Sequence, residues 1–251
     1  MIGHYGKSHA EVDRQAPQRY LEAMFRRLLQ KLQGRGADRG PSGPNSFDEA
    51  PGQPGEQIDL ATLVPIIMPR EAMDGWPGPI VPVGDLPFAV AWATMPRPNV
   101  FAYVNDQQAA DWEECGESWR ALALRNLARM AAEGGWGDKR DASGNPFVIA
   151  LLTADAIGPS RLLLPHFFDP LLGPGYHAAI PERTCAIVYR AVLSDEERHE
   201  VDGMIDGCFA EGTEPVSPAR FDASCFWILG DPGGGAEPAP DRGATKPGMT
   251  E

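Results

Sequence analysis

The sequence predicts an α+β fold, in which a mixed sheet of short strands is packed by helices and preceded by an N-terminal amphipathic helix. Apolar runs of strand length are interspersed with segments of helical periodicity. These segments follow no regular strand–helix–strand rhythm, which disfavours a doubly wound parallel sheet. Prolines interrupt the first half of the apolar region repeatedly, which favours short edge strands over long regular ones.

Elements can be assigned along the chain from these patterns. Ser194 and Glu197 form a capping-box pattern that marks the start of the clearest helix. The segment 183–192 fits a strand and a helix equally well. The predicted strands are 61–69, 87–95, 99–104, 146–153, 176–181 and 224–229, and the predicted helices are 106–113, 118–132, 160–172 and 194–209.

The chain divides into four parts by composition. Residues 1–33 form an N-terminal segment whose amphipathic helix, 17–33, either packs on the domain or contacts a partner. Residues 34–57 are a Gly/Pro-rich linker, 58–229 are the α+β domain, and 230–251 are a disordered tail.

The charge and the cysteines restrict the partners and the compartment. The 251 residues are 43% hydrophobic and carry a formal net charge of −13. Such an acidic protein repels phosphate backbones and anionic lipid headgroups, so we expect no nucleic-acid and no membrane partner. The first residues lack the apolar core of a signal peptide, and the four cysteines form no CxxC pair. We therefore predict a cytoplasmic protein with reduced thiols.

The helix 118–132 carries an amide on its apolar face. Trp119, Ala123 and Leu127 lie on one stripe at helical spacing, and Asn126 interrupts that stripe. Asn126 could contact a bound ligand, or its amide could bridge backbone carbonyls of the proline-rich half. We favour the bridge, because no other polar side chain joins it and a buried amide must be hydrogen-bonded.

The densest group of reactive side chains lies between residues 161 and 185. His166, Asp169, His177 and Cys185 could form a cysteine nucleophile with a histidine base and an acidic orienting group. The histidines and Asp169 could instead hold a metal, although this spacing lacks the signature of a zinc site. We favour a structural role, because His166 and Asp169, three residues apart, would simply pair on a helix.

The remaining candidate and the cofactor prediction follow from short motifs. Arg183 follows a strand end, where it could bind a carboxylate ligand or, as we favour, pair with an acid of the same chain. The glycine-rich stretches 133–137 and 173–177 lack the lysine and hydroxyl of a phosphate-binding loop. We therefore expect no bound metal and no cofactor.

Several motifs resemble the YtpQ-like family of uncharacterised bacterial proteins. The Ala-x-x-Asn-Leu element at 123–127 and the Ile-Pro-x-Arg element at 180–183 are the most specific of them. The resemblance implies a soluble bacterial cytoplasmic protein, and it brings no established activity or catalytic residues. The other similar features are "VPIIMPRE" (64–71), the apolar strand and helix at 147–172, and "VSPARFDASCFWIL" (216–229).

These observations together favour a non-enzymatic domain that binds a protein or peptide, through helix 17–33 or through the acidic domain. The alternatives are a small hydrolase or transferase that uses His166, Asp169, His177 and Cys185, and a metal-binding domain built on the same side chains.

Overall fold

The structure is a computed structural model that describes residues 59–97, 100–116, 118–132, 136–152 and 157–230. The predicted N-terminal helix, the linker before residue 58 and the C-terminal tail lie outside the described residues. The described residues confirm the α+β class, because they contain helices and antiparallel sheets. The strands form two antiparallel sheets instead of the single mixed sheet predicted.

Nine strands are present in the described residues, and every pairing between them is antiparallel. They are β1 (Val64–Pro69), β2 (Val81–Pro82), β3 (Phe88–Arg97), β4 (Val100–Tyr103), β5 (Gly137–Arg140), β6 (Pro146–Leu152), β7 (His177–Glu182), β8 (Cys185–Tyr189) and β9 (Arg220–Asp222).

The four-stranded sheet is built around β3. Strand β1 pairs along one edge of β3, from Val64 opposite Ala93 to Pro69 opposite Phe88. The short strands β2 and β4 share the other edge of β3. Prolines cannot donate to a ladder, and this sheet accordingly consists of one long strand with shorter partners.

The five-stranded sheet has the order β5-β6-β8-β7-β9. Its central strands β6, β8 and β7 are almost fully buried, whereas the edge strands β5 and β9 are largely polar. The ambiguous segment 183–192 contains strand β8 and no helix. Strand β8 lies between β6 and β7 and is hydrogen-bonded to both.

Four α-helices lie in the described residues: α1 (Asp106–Glu114), α2 (Trp119–Ala132), α3 (Asp169–Leu172) and α4 (Asp195–Glu211). The predicted capping box of α4 is confirmed, since Ser194 Oγ accepts from the Glu197 N–H and Glu197 Oε2 accepts from the Ser194 N–H. None of the helices in these described ranges combines the length and the apolar character needed to span a bilayer.

Two local predictions are wrong. The predicted helix 160–172 is broken into a 3-10 turn (Pro159–Leu163) and the short helix α3, because Pro165 cannot donate to a helix and His166 has a positive φ. The predicted strand 224–229 begins with a 3-10 turn (Ala223–Phe226), which the Asp222 side chain caps by accepting from the Ser224 N–H.

The apolar side chains form two clusters on opposite faces of the five-stranded sheet. The larger cluster includes Ala186 and Val188 and extends to the four-stranded sheet and α2. The smaller cluster joins Cys185, Ile187 and the buried stripe of α4. Because side chains alternate along a strand, neighbouring residues of β7 and β8 belong to different clusters, and this decides which reactive groups can meet.

Candidate functional site

The turn before α3 carries an unusual histidine. His166 has a φ of 59°, and it is the only non-glycine residue with positive φ in the described part of the chain. This left-handed conformation is costly for a residue with a Cβ, and it occurs at functional sites more often than elsewhere. The His166 side chain is 66% exposed to solvent. The fold therefore holds His166 in a strained backbone conformation, with its imidazole at the surface.

Asp169 fixes the orientation of this imidazole. His166 Nδ1 lies 2.8 Å from Asp169 Oδ2, so the predicted pair is present, although it spans the turn before α3 and does not lie on one helix. When Nδ1 carries the proton and donates to the carboxylate, Nε2 remains an acceptor on the exposed side of the ring. The pair thus has the geometry of a base with an orienting carboxylate, at a position open to solvent.

Trp227 supports the other side of the imidazole. The centroids of the His166 and Trp227 rings are 4.4 Å apart, and their planes are inclined at 52°. Trp227 follows the 3-10 turn Ala223–Phe226. A hydrogen bond from the Ala223 N–H to the Tyr176 carbonyl holds this turn beside the start of β7. Two segments that are distant in sequence therefore meet at His166.

Tyr176 lies buried beneath this pair. Its burial, with the charge of Asp169 as the next cause, raises the pKa of Tyr176 to about 12. The Trp227 N–H faces the Tyr176 hydroxyl and opposes this shift, without reaching hydrogen-bonding geometry. Within the described ranges, Asp169 Oδ1, Tyr176 Oη and Trp227 Nε1 are all buried atoms outside hydrogen-bonding geometry with any partner.

Two further partly exposed aromatic side chains pack on the same apolar cluster as Trp227. Phe167 and Trp136 are partly exposed, with ring centroids 6.0 Å apart, and Phe168 packs beneath them against Tyr176. We use the name His166 surface for a set of exposed and partly exposed side chains. They are those of Trp136, His166, Phe167, Asp169 and Trp227.

The structure does not bring His177 and Cys185 to the His166 surface. His177 is paired across the strands with Tyr189, at 5.6 Å between ring centroids, on the face that α4 covers. Cys185 is fully buried on that same face, and its Sγ lies 3.3 Å from Cys208 Sγ. The four side chains considered as one group thus fall on two faces of the five-stranded sheet.

The surroundings of Cys185 disfavour a nucleophilic thiolate. Its contact with Cys208 and its burial raise the pKa of the Cys185 thiol well above its usual range. No histidine ring contact with this thiol is seen among the described residues. In the same residues, no group of three or more His, Cys, Asp or Glu side chains is arranged to hold a metal ion.

Asn126 bridges backbone carbonyls, as the favoured interpretation predicted. Its Nδ2 donates to the Leu60 and Leu63 carbonyls, both at 2.9 Å. These carbonyls flank the 3-10 turn Leu60–Thr62, just before strand β1. Asn126 is buried, with 8% of its surface exposed, so both bonds are largely shielded from water.

Arg183 forms an ion pair with an acid of the same chain. Its Nη1 lies 2.9 Å from Glu214 Oε2, and its backbone N–H donates to the Glu214 carbonyl. Burial opposes the positive charge, but the charge of Glu214 and the side-chain hydrogen bonds to Glu214 and Tyr103 outweigh it and raise the pKa of Arg183. These contacts attach the β7–β8 turn to the segment before β9.

Four residues on or beneath the His166 surface are not predicted from the sequence: Trp136, Phe167, Tyr176 and Trp227. Tyr176 and Trp227 both fall in predicted strands, 176–181 and 224–229, and Phe167 falls in the predicted helix 160–172. The local signal is Pro165, which interrupts the predicted helix just before His166.

The comparisons with protein-family models, curated proteins and solved structures found no match to this chain. Membership of the YtpQ-like family therefore stays a prediction.

Proposed function

We propose that the chain is a non-enzymatic module that binds a protein segment or peptide, and that the His166 surface is the binding site. The observation that carries this proposal is the fixed position of the exposed His166 imidazole. A strained φ, the Asp169 carboxylate and the Trp227 ring all restrict it before any partner arrives. A side chain that is already ordered loses less entropy on binding, which favours affinity.

The composition of the surface agrees with this role. The partly exposed Trp227 contacts the imidazole, and the partly exposed Phe167 follows His166 in the chain and contacts Trp136. Tryptophan is among the residues that dominate binding energy in protein interfaces, because it buries a large apolar area at a low entropic cost. A partner side chain can therefore pack on the rings while it hydrogen-bonds to His166 Nε2.

The charge of the chain points to a basic partner. The net charge of −13 attracts cationic segments and accelerates their association. The face of the Trp227 ring can also receive a lysine or arginine side chain through a cation–π contact. We infer a peptide that carries a basic residue next to an apolar one. Helix 17–33 as a second contact, and the bacterial and cytoplasmic assignments, remain predictions.

The alternative hydrolase is supported by one observation, the 2.8 Å contact between His166 and Asp169. This pair could act as a base with its orienting carboxylate. A nucleophile would have to come from elsewhere than Cys185, which lies on the other face of the sheet. We therefore prefer the binding function.

A peptide selection tests the proposal. The full-length protein is immobilised, a random-peptide phage library is enriched on it, and the enriched peptides are titrated against variants. We expect apolar–basic peptides that lose at least about tenfold in affinity on His166→Gly, which corresponds to 1.4 kcal/mol. His199→Ala is the matched control, because His199 is an exposed histidine on α4.

The variant His166→Gly separates binding from folding. Glycine adopts a positive φ without strain, which compensates for the lost contact with Asp169. We expect its unfolding free energy to stay within about 1 kcal/mol of the wild type. Enriched peptides that bind His166→Gly as tightly as the wild type, or no enrichment at all, would contradict the proposal. Hydrolysis of a chromogenic ester that depends on His166 would favour the alternative.

A further inference from the structure

Two cysteines from different elements meet beneath α4. Cys185 lies on strand β8 and Cys208 near the end of α4, with their sulfur atoms 3.3 Å apart. Both are free thiols, and they are 0% and 3% exposed. The other two cysteines, Cys115 and Cys225, are exposed at the surface. The distance and the burial thus distinguish this pair from the remaining thiols.

The packing around the pair keeps the two sulfurs together. Val201 and Ile205 of α4 pack with Ile187 in the same apolar cluster. At the end of α4, Gly212 approaches so closely that an added Cβ would lie 2.6 Å from Glu182 Cγ. The two sulfur atoms are already in contact, and a disulfide requires them to approach from 3.3 Å to about 2.05 Å.

We propose that Cys185 and Cys208 are a disulfide-forming site, which attaches α4 covalently to the five-stranded sheet when the protein meets a low-molecular-weight disulfide. The Cys208 thiolate attacks one sulfur of the small disulfide, forms a mixed disulfide and releases one small thiolate. The Cys185 thiolate then attacks the Cys208 sulfur and displaces the second small thiolate. Two protein thiols are oxidised, one small disulfide is reduced to two thiols, and the two protons pass to those leaving groups.

Access to the pair requires α4 to open. Both thiols are buried, so the small disulfide cannot reach them in the closed structure. Helix α4 contains Gly203 and Gly207 in its interior, and glycine weakens a helix there. Local opening of α4 therefore limits the rate of the exchange. The site and the His166 surface lie on different faces of the sheet, so this inference does not depend on the proposed function.

The experiment uses the full-length chain with Cys115→Ser and Cys225→Ser, so that only the buried pair can react. The protein is incubated with oxidised glutathione, denatured, alkylated and analysed by mass spectrometry. We expect a peptide pair linked through Cys185 and Cys208, and a Tm about 5–10 °C higher than that of the reduced protein. In Cys208→Ala the linked peptide and the gain in Tm are both absent.

Two further measurements test whether burial of the cysteine pair limits its reaction with oxidised glutathione. In Gly203→Ala/Gly207→Ala we expect the disulfide to form about fivefold more slowly than with the wild-type glycines, because the stronger helix opens less often. The reduced chain is also unfolded and refolded with oxidised glutathione, which removes the barrier of burial. Two alkylated cysteines after both native exchange and refolding, or a bond that leaves Tm unchanged, would overturn the proposal. An unchanged rate in the glycine variant would overturn the opening step.

Discussion

The two sheets satisfy their backbone polar groups in different ways. In the five-stranded sheet, strands β6, β8 and β7 have a hydrogen-bonded strand on each side. In the four-stranded sheet, β1 pairs only with β3 among the described strands, and side chains from far along the chain complete its bonding. Ser160 Oγ accepts from the Ile67 N–H, and Asn126 donates to two carbonyls just before β1.

This difference shows how a proline-rich segment can still form a buried sheet. Proline removes the N–H groups that a regular ladder would use, and carbonyls at the strand ends are left without a strand partner. A side-chain amide or hydroxyl on a packed helix or turn can take the place of the missing strand. The stability of the four-stranded sheet should therefore depend on single polar side chains, and that of the five-stranded sheet should not.

Removal of the Asn126 bridge should have the largest effect. Asn126→Leu keeps the size of the side chain but removes the amide that donates to the Leu60 and Leu63 carbonyls. We expect the free energy of unfolding to fall by about 2–4 kcal/mol, measured by urea denaturation. Arg125→Leu, on the exposed side of the same helix, should change it by less than about 0.5 kcal/mol. An unchanged stability in Asn126→Leu would mean that the bridge is not needed.

A methyl group at Gly78 should destabilise the four-stranded region through a clash. An added Cβ would lie 2.0 Å from the Val104 carbonyl oxygen, so the backbone must move. We expect Gly78→Ala to lower the free energy of unfolding by about 1–3 kcal/mol in the same assay. A stability equal to the wild type would show that this loop can shift freely.

The same substitution in α4 should have the opposite sign. An added Cβ at Gly203 or Gly207 meets no atom within 4 Å, and both positions lie inside a helix. Gly203→Ala and Gly207→Ala should each raise the free energy of unfolding by about 0.5–1 kcal/mol. A loss of stability in either variant would argue against the helical packing described for this face.

The smallest effect at neutral pH should come from the ion pairs at the start of α4. Arg190 contacts Asp141 in the β5–β6 turn and Glu197 in α4. The Asn145 N–H and then Arg190 lower the pKa of Asp141, and Arg190 is the first cause that lowers the pKa of Glu197. Both pKa values are lower in the folded protein than in the unfolded chain. The stabilisation is therefore present near neutral pH and is lost as the pH falls below the usual Glu pKa of 4.5.

Arg190→Gln should therefore flatten the loss of stability between neutral and acidic pH. The measurement is Tm as a function of pH, with Arg198→Gln, an exposed arginine of α4, as the control. If the Tm curves of the wild type and Arg190→Gln run parallel from pH 7 to below the usual Glu pKa, these ion pairs do not cause the loss of stability in acid.

The candidate site was predictable only in part. The bridging role of Asn126 follows from its place on an apolar stripe. The pairing of His166 with Asp169 was predicted on a helix, whereas in the structure it spans the turn before α3. The separation of His166 from Cys185 could not be predicted, because it depends on the register of β7 against β8 and on which sheet face α4 covers. One residue of shift would reverse every side chain between the faces.

Features that depend on neighbouring residues follow from local sequence patterns alone. The capping box of α4, the buried stripe of α2 and the α+β class all arise from spacing within a few turns or strands. The tertiary structure alone decided the positive φ of His166, the approach of Trp227 to its ring and the contact of Cys185 with Cys208. The two contacts join segments whose distance depends on the order of the strands, and strand order follows from how the whole set of apolar faces is buried.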